Sequence, residues 1–282
     1  MRLIDFDGLF NKTVEREIQK HAGERTEEEW EDAVAEMYAR FGRTVIAGLG
    51  KTPVQYFQDM TDAELAAALR QYVRAGVAVP DFLCGAMEER EPSPALLSLF
   101  SDASGEIVQY AMTALGARKE AVPCLVEILR DPETEEDLKD GAAEQLSLQA
   151  DAVTEEMLGL LGGDSGAYAL QVLSHTKKRD ERVFDALKKA FLAADADEMP
   201  LFAGYLASYG DDRALPYLLE EIDREETGFV AYEELRCAIE ALGGRYEKQR
   251  DFSGDAAYQK IMEASRETNI FGAGNDGAKN DG

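Results

Sequence analysis

Apolar positions along this chain recur about every three or four residues, the spacing of one face of an α-helix. Phe10, Val14 and Ile18 share such a face just after Asp7. Thr26-Glu-Glu-Glu29 and Thr61-Asp-Ala-Glu64 both fit the capping box, in which each end satisfies the other's free N–H. After the first, Trp30, Val34, Met37, Tyr38 and Phe41 keep the helical spacing; after the second, Leu65, Ala68, Leu69, Tyr72 and Val73 do the same. Alternating apolar runs bounded by turns, which would signal strands, are missing. Gly48-Leu-Gly50 and Val79-Pro80 fall between the helical segments. The pattern predicts an all-α protein.

From about residue 92 the pattern repeats. AVPCLVEIL (121–129) and ALPYLLEEI (214–222) align in register, 93 residues apart. The second helix of each hairpin can be anchored on Leu115, Leu146, Leu173, Leu206 and Leu242, spaced by 31, 27, 33 and 36 residues. A small residue follows every anchor: Gly116, Ser147, Ser174, Ala207 and Gly243. Four residues before the anchor stand Ala111, Ala142, Ala169 and Ala238, with Phe202 the exception. Small residues at a fixed phase let neighbouring helices approach closely, as stacked hairpins require. Met199-Pro200 suits the first turn of the fourth second helix.

The stretches YAMTALGARKEAVPCLVEILRD and RALPYLLEEI with CAIEALGG resemble HEAT repeats, particularly the bacterial phycobilisome-lyase-like type, over about 92–247. The Val-Arg usual in the second helices of that repeat is mostly absent. The resemblance implies a right-handed α-α superhelix, a short solenoid whose concave surface is lined by one helix of each hairpin. Residues 1–91 do not match the repeat and read as a helical N-terminal cap or subdomain. Residues 92–270 read as the repeats plus a capping helix carrying Tyr258, Ile261 and Met262, and 271–282 as a flexible tail.

Charge narrows the function. The chain has 56 acidic and 30 basic residues, a net of −26. Such a surface repels phosphate backbones, and the only basic clusters are Lys177-Lys178-Arg179 and Lys188-Lys189, so nucleic acid is not the expected partner. No stretch approaches the roughly 20 apolar residues of a membrane span. The N-terminus turns acidic too soon for a signal peptide, which makes the cytoplasm the expected compartment. Cys84, Cys124 and Cys237 lie far apart among apolar neighbours and read as buried, reduced thiols. With only His21 and His175, the paired His-Glu motifs of iron-dependent hydroxylases built from this repeat are missing, and the acidity opposes the basic groove of alkyl-purine glycosylases of this shape.

Three stretches imitate active sites. LIDFDG (3–8) has the Asp-x-Asp-Gly of haloacid-dehalogenase-type phosphatases, but lacks the strand that must precede it; Asp5 or Asp7 is expected to cap a helix. AGLGKT (47–52) resembles a nucleotide-binding loop, yet Val45 stands where the pattern needs Gly or Ala, and Thr52-Pro53 reads as a helix start. DREETGFVAYEE (223–234) lays Asp223, Glu225, Thr227, Gly228, Val230 and Glu234 on the twelve-residue calcium loop. The same residues are also the turn of the fifth hairpin, and the repeat register accounts for more of them.

These readings converge on a non-enzymatic protein–protein scaffold with no catalytic residue, cofactor or metal, and no membrane partner. The alternatives are a subunit of an enzyme or bilin-lyase-like complex, or calcium binding through 223–234. None of these features sets an oligomeric state. Counting nine residues back from each anchor leucine gives Glu106, Asp137, Asp164, Asp197 and Glu233, all acidic and about 180° from the core-facing leucine. Glu144 and Glu240 lie two residues before their anchors, Tyr110 and Tyr168 five before. The expectation is an acidic ladder, set in first helical turns and flanked by tyrosines, that binds a Lys/Arg-rich protein or peptide.

Overall fold

The computed structural model describes residues 3–272 except positions 22 and 24, with side chains described through residue 264. Helix accounts for 68% of the structure, and the described residues form sixteen α-helices and no strand. The all-α expectation holds. Two compact units divide the chain, Met1–Gln149 and Ala150–Gly282, and the division falls within the stretch that resembles HEAT repeats. No helix among the described residues is long and apolar enough to cross a membrane.

The first unit contains α1 (Phe6–Lys20), α2 (Glu27–Gly42), α3 (Pro53–Gln58), α4 (Asp62–Ala75), α5 (Asp81–Glu88), α6 (Pro94–Leu97), α7 (Gly105–Leu115), α8 (Val122–Arg130) and α9 (Glu136–Ser147). Local chemistry sets their starts. Asp5 caps α1, its carboxylate accepting the Gly8 N–H at 2.7 Å. Thr26 with Glu29 and Thr61 with Glu64 form the two expected capping boxes; Thr52 with Gln55 makes a third, opening α3 with Pro53 in its first turn. α4 ends on Gly76 at a φ of 62°, a left-handed conformation that side chains resist.

The phosphatase-like opening is therefore an anchor. The Ile4 carbonyl accepts the Tyr72 hydroxyl at 2.7 Å, and Phe6, wholly buried, meets Tyr56 and Phe57 at ring distances of 5.6 Å. Beyond this cluster, alternate helices stack: α3 on α5, α5 on α7, α7 on α9. Gly116 shows why a small residue follows the anchor there. A Cβ on it would lie 2.4 Å from the Met112 carbonyl and 2.8 Å from Cγ of Gln145 on α9.

The second unit contains α10 (Thr154–Leu160), α11 (Gly166–Ser174), α12 (Glu181–Ala193), α13 (Met199–Tyr209), α14 (Leu215–Ile222), α15 (Phe229–Ala241) and α16 (Ala256–Gly272). Consecutive helices pair as α10–α11, α12–α13 and α14–α15, while α11, α13 and α15 stack in turn. Ala169 and Ala238 are buried at the expected phase; in α13 the exception Phe202 is half-buried and the next residue, Ala203, takes the buried small position. Gly243 is small for another reason than Gly116, since its φ is 81° and nothing crowds its Cβ position. Residues 244–255 run over the end of α14–α15. There Tyr232 donates to the Lys248 carbonyl, Arg250 reaches the Ile222 and Thr227 carbonyls at 2.8 and 3.0 Å, and Asp255 caps α16. Of the expected tail, 271 and 272 end α16, and 273–282 lie outside the described residues.

Arginines brace successive hairpins at nearly the repeat spacing. Arg90 donates to the Gln58 carbonyl and Asp62, and Arg118 to the Glu88 carbonyl. In the second unit Arg182 pairs with Glu155 and Arg213 with Glu181. Sequence separations for these braces are 32 (Arg90 to Gln58), 30, 27 and 32 residues. Two of the braces share one local device, in which an aspartate accepts the N–H of an arginine two residues on and grips its guanidinium: Asp180 with Arg182, Asp211 with Arg213.

Candidate functional site

Only part of the expected acidic ladder sits in first helical turns. Glu106 and Asp137 do. Asp164 and Asp197 instead lie in the turns before α11 and α13, and Glu233 stands more than a turn inside α15. The reason is helix length. α11 has nine residues and α15 thirteen, so a fixed count back from a leucine lands at different points. Glu106, Asp137, Glu144, Asp164, Asp197 and Glu240 are exposed; Glu233, Tyr110 and Tyr168 are half-buried. Arg236 pairs with both Glu233 (2.6 Å) and Glu240 (3.3 Å), which offsets their charge.

The calcium-like stretch is occupied by the second unit's own chain. Asp223 receives Lys248 on both carboxylate oxygens and the Tyr246 hydroxyl on one, each at 2.7 Å. Thr227 donates its hydroxyl to the Glu221 carbonyl, and Gly228 begins α15. The residues form the turn between α14 and α15. No group of three or more His, Cys, Asp or Glu among the described residues is arranged to hold a metal ion.

The cysteines are less buried than expected, Cys237 most of all. All three are free, and Cys84 and Cys124 are half-buried, but Cys237 is exposed. On α15 the inward positions belong to Leu235, Ala238 and Ile239, which leaves residue 237 facing out.

The most distinctive surface lies in the first unit, where two grooves meet at Asp81. One, of about 570 Å³ between α5 and α7, is lined by Cys84, Glu88, Glu106 and Tyr110. The other, of about 720 Å³ among α1, α2 and the start of α5, is lined by Asp7, Glu27 and Glu31 together with Phe10, Trp30 and Tyr38. Neither is lined by any lysine, arginine or histidine, and none of the six carboxylates of the two grooves forms an ion pair among the described residues. Of the expected site residues the groove gathers Glu106 and Tyr110, which share α7.

Its electrostatics follow from crowding of like charges. Burial, then Asp81 and Asp5, holds the Asp7 carboxyl above the usual aspartate range, against a lowering hydrogen bond from Tyr38. Burial, then Asp81 and Asp7, raises the Tyr38 phenol. Burial, then Asp81 and Glu88, pushes the Cys84 thiol up to about 12, which keeps it protonated and a poor nucleophile at neutral pH. The Tyr38 ring is fixed in place, stacked on Phe82 at 4.8 Å and edge-on to Phe10 at 4.9 Å. Such a surface concentrates negative charge around a thiol that is not activated. Compared with known protein families and with curated proteins, the chain matches none.

Proposed function

We propose that this chain is a non-enzymatic binding module of HEAT-like hairpins that recruits a Lys/Arg-rich segment of another protein. One observation carries the reading: two grooves meeting at Asp81 that together hold six carboxylates without an ion pair, with aromatic walls and no lining cation among the described residues. The stacking of alternate helices within each unit supports the HEAT-like part of the reading, and a right-handed superhelix is the arrangement it implies. The groove is the main determinant. Exposed Asp137, Glu144, Asp164 and Asp197 add long-range attraction, while Glu233, Glu240 and Tyr168 contribute least.

The test is fluorescence anisotropy with a labelled peptide of mixed lysine and arginine. Affinity is expected to fall at least tenfold between about 50 and 300 mM salt, as an electrostatic contact requires. Glu31→Lys/Glu88→Lys/Glu106→Lys should abolish binding with the helical dichroism intact, whereas Asp137→Lys/Asp164→Lys should weaken it only a few-fold. Unchanged binding in the triple variant would remove the groove as the site.

A further inference from the structure

We propose that residues 244–255 are a strap that stands in for a further hairpin and lifts as one unit while the helices beneath it stay folded. Its seat is the end of α14–α15. The strap contains no helix or strand, and neither it nor α16 through residue 264 holds a buried side chain. Polar bonds and half-buried rings hold it instead, with Phe252 meeting Tyr232 at 4.9 Å and Phe229 at 5.3 Å. A segment that buries so little apolar surface opens at a lower free energy than the helices it covers.

Arg250 shows what the strap replaces. In the first unit Arg90 donates to the Gln58 carbonyl and Arg118 to the Glu88 carbonyl, 32 and 30 residues back. Gln58 and Glu88 are the last residues of α3 and α5. Arg250 donates at 2.8 Å to the Ile222 carbonyl, 28 residues back, and Ile222 is the last residue of α14. The final carbonyls of a helix have no partner within it, and in all three places an arginine from beyond a later helix supplies one. Arg90 and Arg118 are followed by further stacked helices, α7 and α9; Arg250 belongs to the strap.

Three clasps hold the strap down. Lys248 sits on Asp223 at 2.7 Å, Arg250 takes the Ile222 and Thr227 carbonyls, and Asp255 accepts the Phe229 N–H at 3.0 Å. Lifting breaks all three and uncovers Tyr232, which is 5% exposed beneath the strap. Phe229 is the first residue of α15, so no bond within that helix protects its N–H. Its exchange with solvent therefore reports closure of the strap, whereas the amides of Leu235 and Ala238, inside α15, report opening of the helix.

Amide exchange measured by NMR on the full chain tests the strap. In the wild type the Phe229 amide should exchange at least about tenfold faster than those of Leu235 and Ala238. Arg250→Ala, which removes no bond to Phe229, should speed Phe229 exchange about tenfold, and Lys248→Ala about twofold, with Leu235 and Ala238 unchanged. If neither substitution alters the Phe229 rate, the clasps do not act together and the strap is not a unit. If Leu235 and Ala238 quicken in step with Phe229, the strap opens only with the helix beneath it, and the proposal falls equally. Lys248→Ala breaks only an exposed pair, so it keeps the test decisive should Arg250→Ala fail to fold.

Discussion

The grooves of the first unit and the turns of the second treat their acids in opposite ways. In the second, turn carboxylates are consumed: Asp151 accepts the N–H groups of Lys177 and Lys178, Asp180 and Glu155 hold Arg182, Asp211 and Glu181 hold Arg213, and Asp223 holds Lys248. In the groove of the first, Asp7, Glu27, Glu31, Asp81, Glu88 and Glu106 have no such partners. A net charge of −26 is thus not one property spread evenly. Where acid and arginine alternate at the repeat spacing, charge is spent on joining hairpins. Where α1, α2, α5 and α7 bring acids together without lining arginines, charge is left without a cationic partner among the described residues. Aromatic clusters occur in both: Phe6, Tyr56, Phe57 and Tyr72, and separately Phe10, Tyr38, Phe41 and Phe82, in the first unit, and Phe229, Tyr232, Tyr246, Phe252 and Tyr258 in the second, where Arg250 also lies over Tyr232 and Phe252.

Breaking the aromatic core beneath the first unit's groove should have the largest effect. Phe6→Ala removes a wholly buried ring from contact with Tyr56 and Phe57 and should cost about 3–4 kcal/mol in chemical denaturation. A loss below about 1 kcal/mol would mean that the N-terminal segment anchors nothing.

The brace in the second unit comes next. Asp211→Ala deletes both the acceptor for the Arg213 N–H and a carboxylate that is only 8% exposed. The expected cost is about 1–2 kcal/mol, most of it the lost cap, because water screens the guanidinium side. The Arg213 hydrogen bond, more than burial opposes it, holds the Asp211 carboxyl below the usual aspartate range. Its stabilisation is therefore present above the unfolded value near pH 4 and is lost as pH falls through the lower folded value. Wild type and variant should converge in stability under acid.

The smallest effect has the opposite sign. Asp7 is held above the aspartate range, first by burial and then by Asp81 and Asp5, so the folded state binds its proton more tightly than the unfolded chain. Its ionised form weakens folding, and that cost grows as pH rises from the unfolded value to the folded one. Asp7→Asn should raise the melting temperature slightly at pH 7, with the gain vanishing near pH 4. A lower melting temperature at pH 7 would show Asp7 to be a structural acceptor and would dissolve the contrast between the units.

Much of the fold was legible along the chain. Thr26, Thr52 and Thr61 each start the helix that their neighbours announce, because capping is a transaction among residues three apart. LIDFDG and AGLGKT were readable as helix starts for the same reason. The groove was much less legible. Counting along α7 found Glu106 and Tyr110 together because they are one helical turn apart, but nothing local links them to Asp7, Glu31 or Asp81. Asp7 had the same standing as Asp5 in the sequence; only Asp5 caps. A hint for Asp81 existed in its place directly after Val79-Pro80, where a new helix must begin.

By itself, then, the sequence determined where helices start and stop, which faces are apolar, that the protein is all-α, and that its surface is strongly acidic. These depend on residues within a turn or two of each other, or on simple sums over the chain. Tertiary structure alone decided which acids meet arginines and which meet only other acids. It decided too that Cys237 faces out, that Gly116 is a point of close approach and Gly243 a turn, and that Asp223 belongs to Lys248. Each of those outcomes depends on a neighbour brought in from another helix or from the loop beyond it, or on a backbone angle set by the packing, and periodicity carries no record of either.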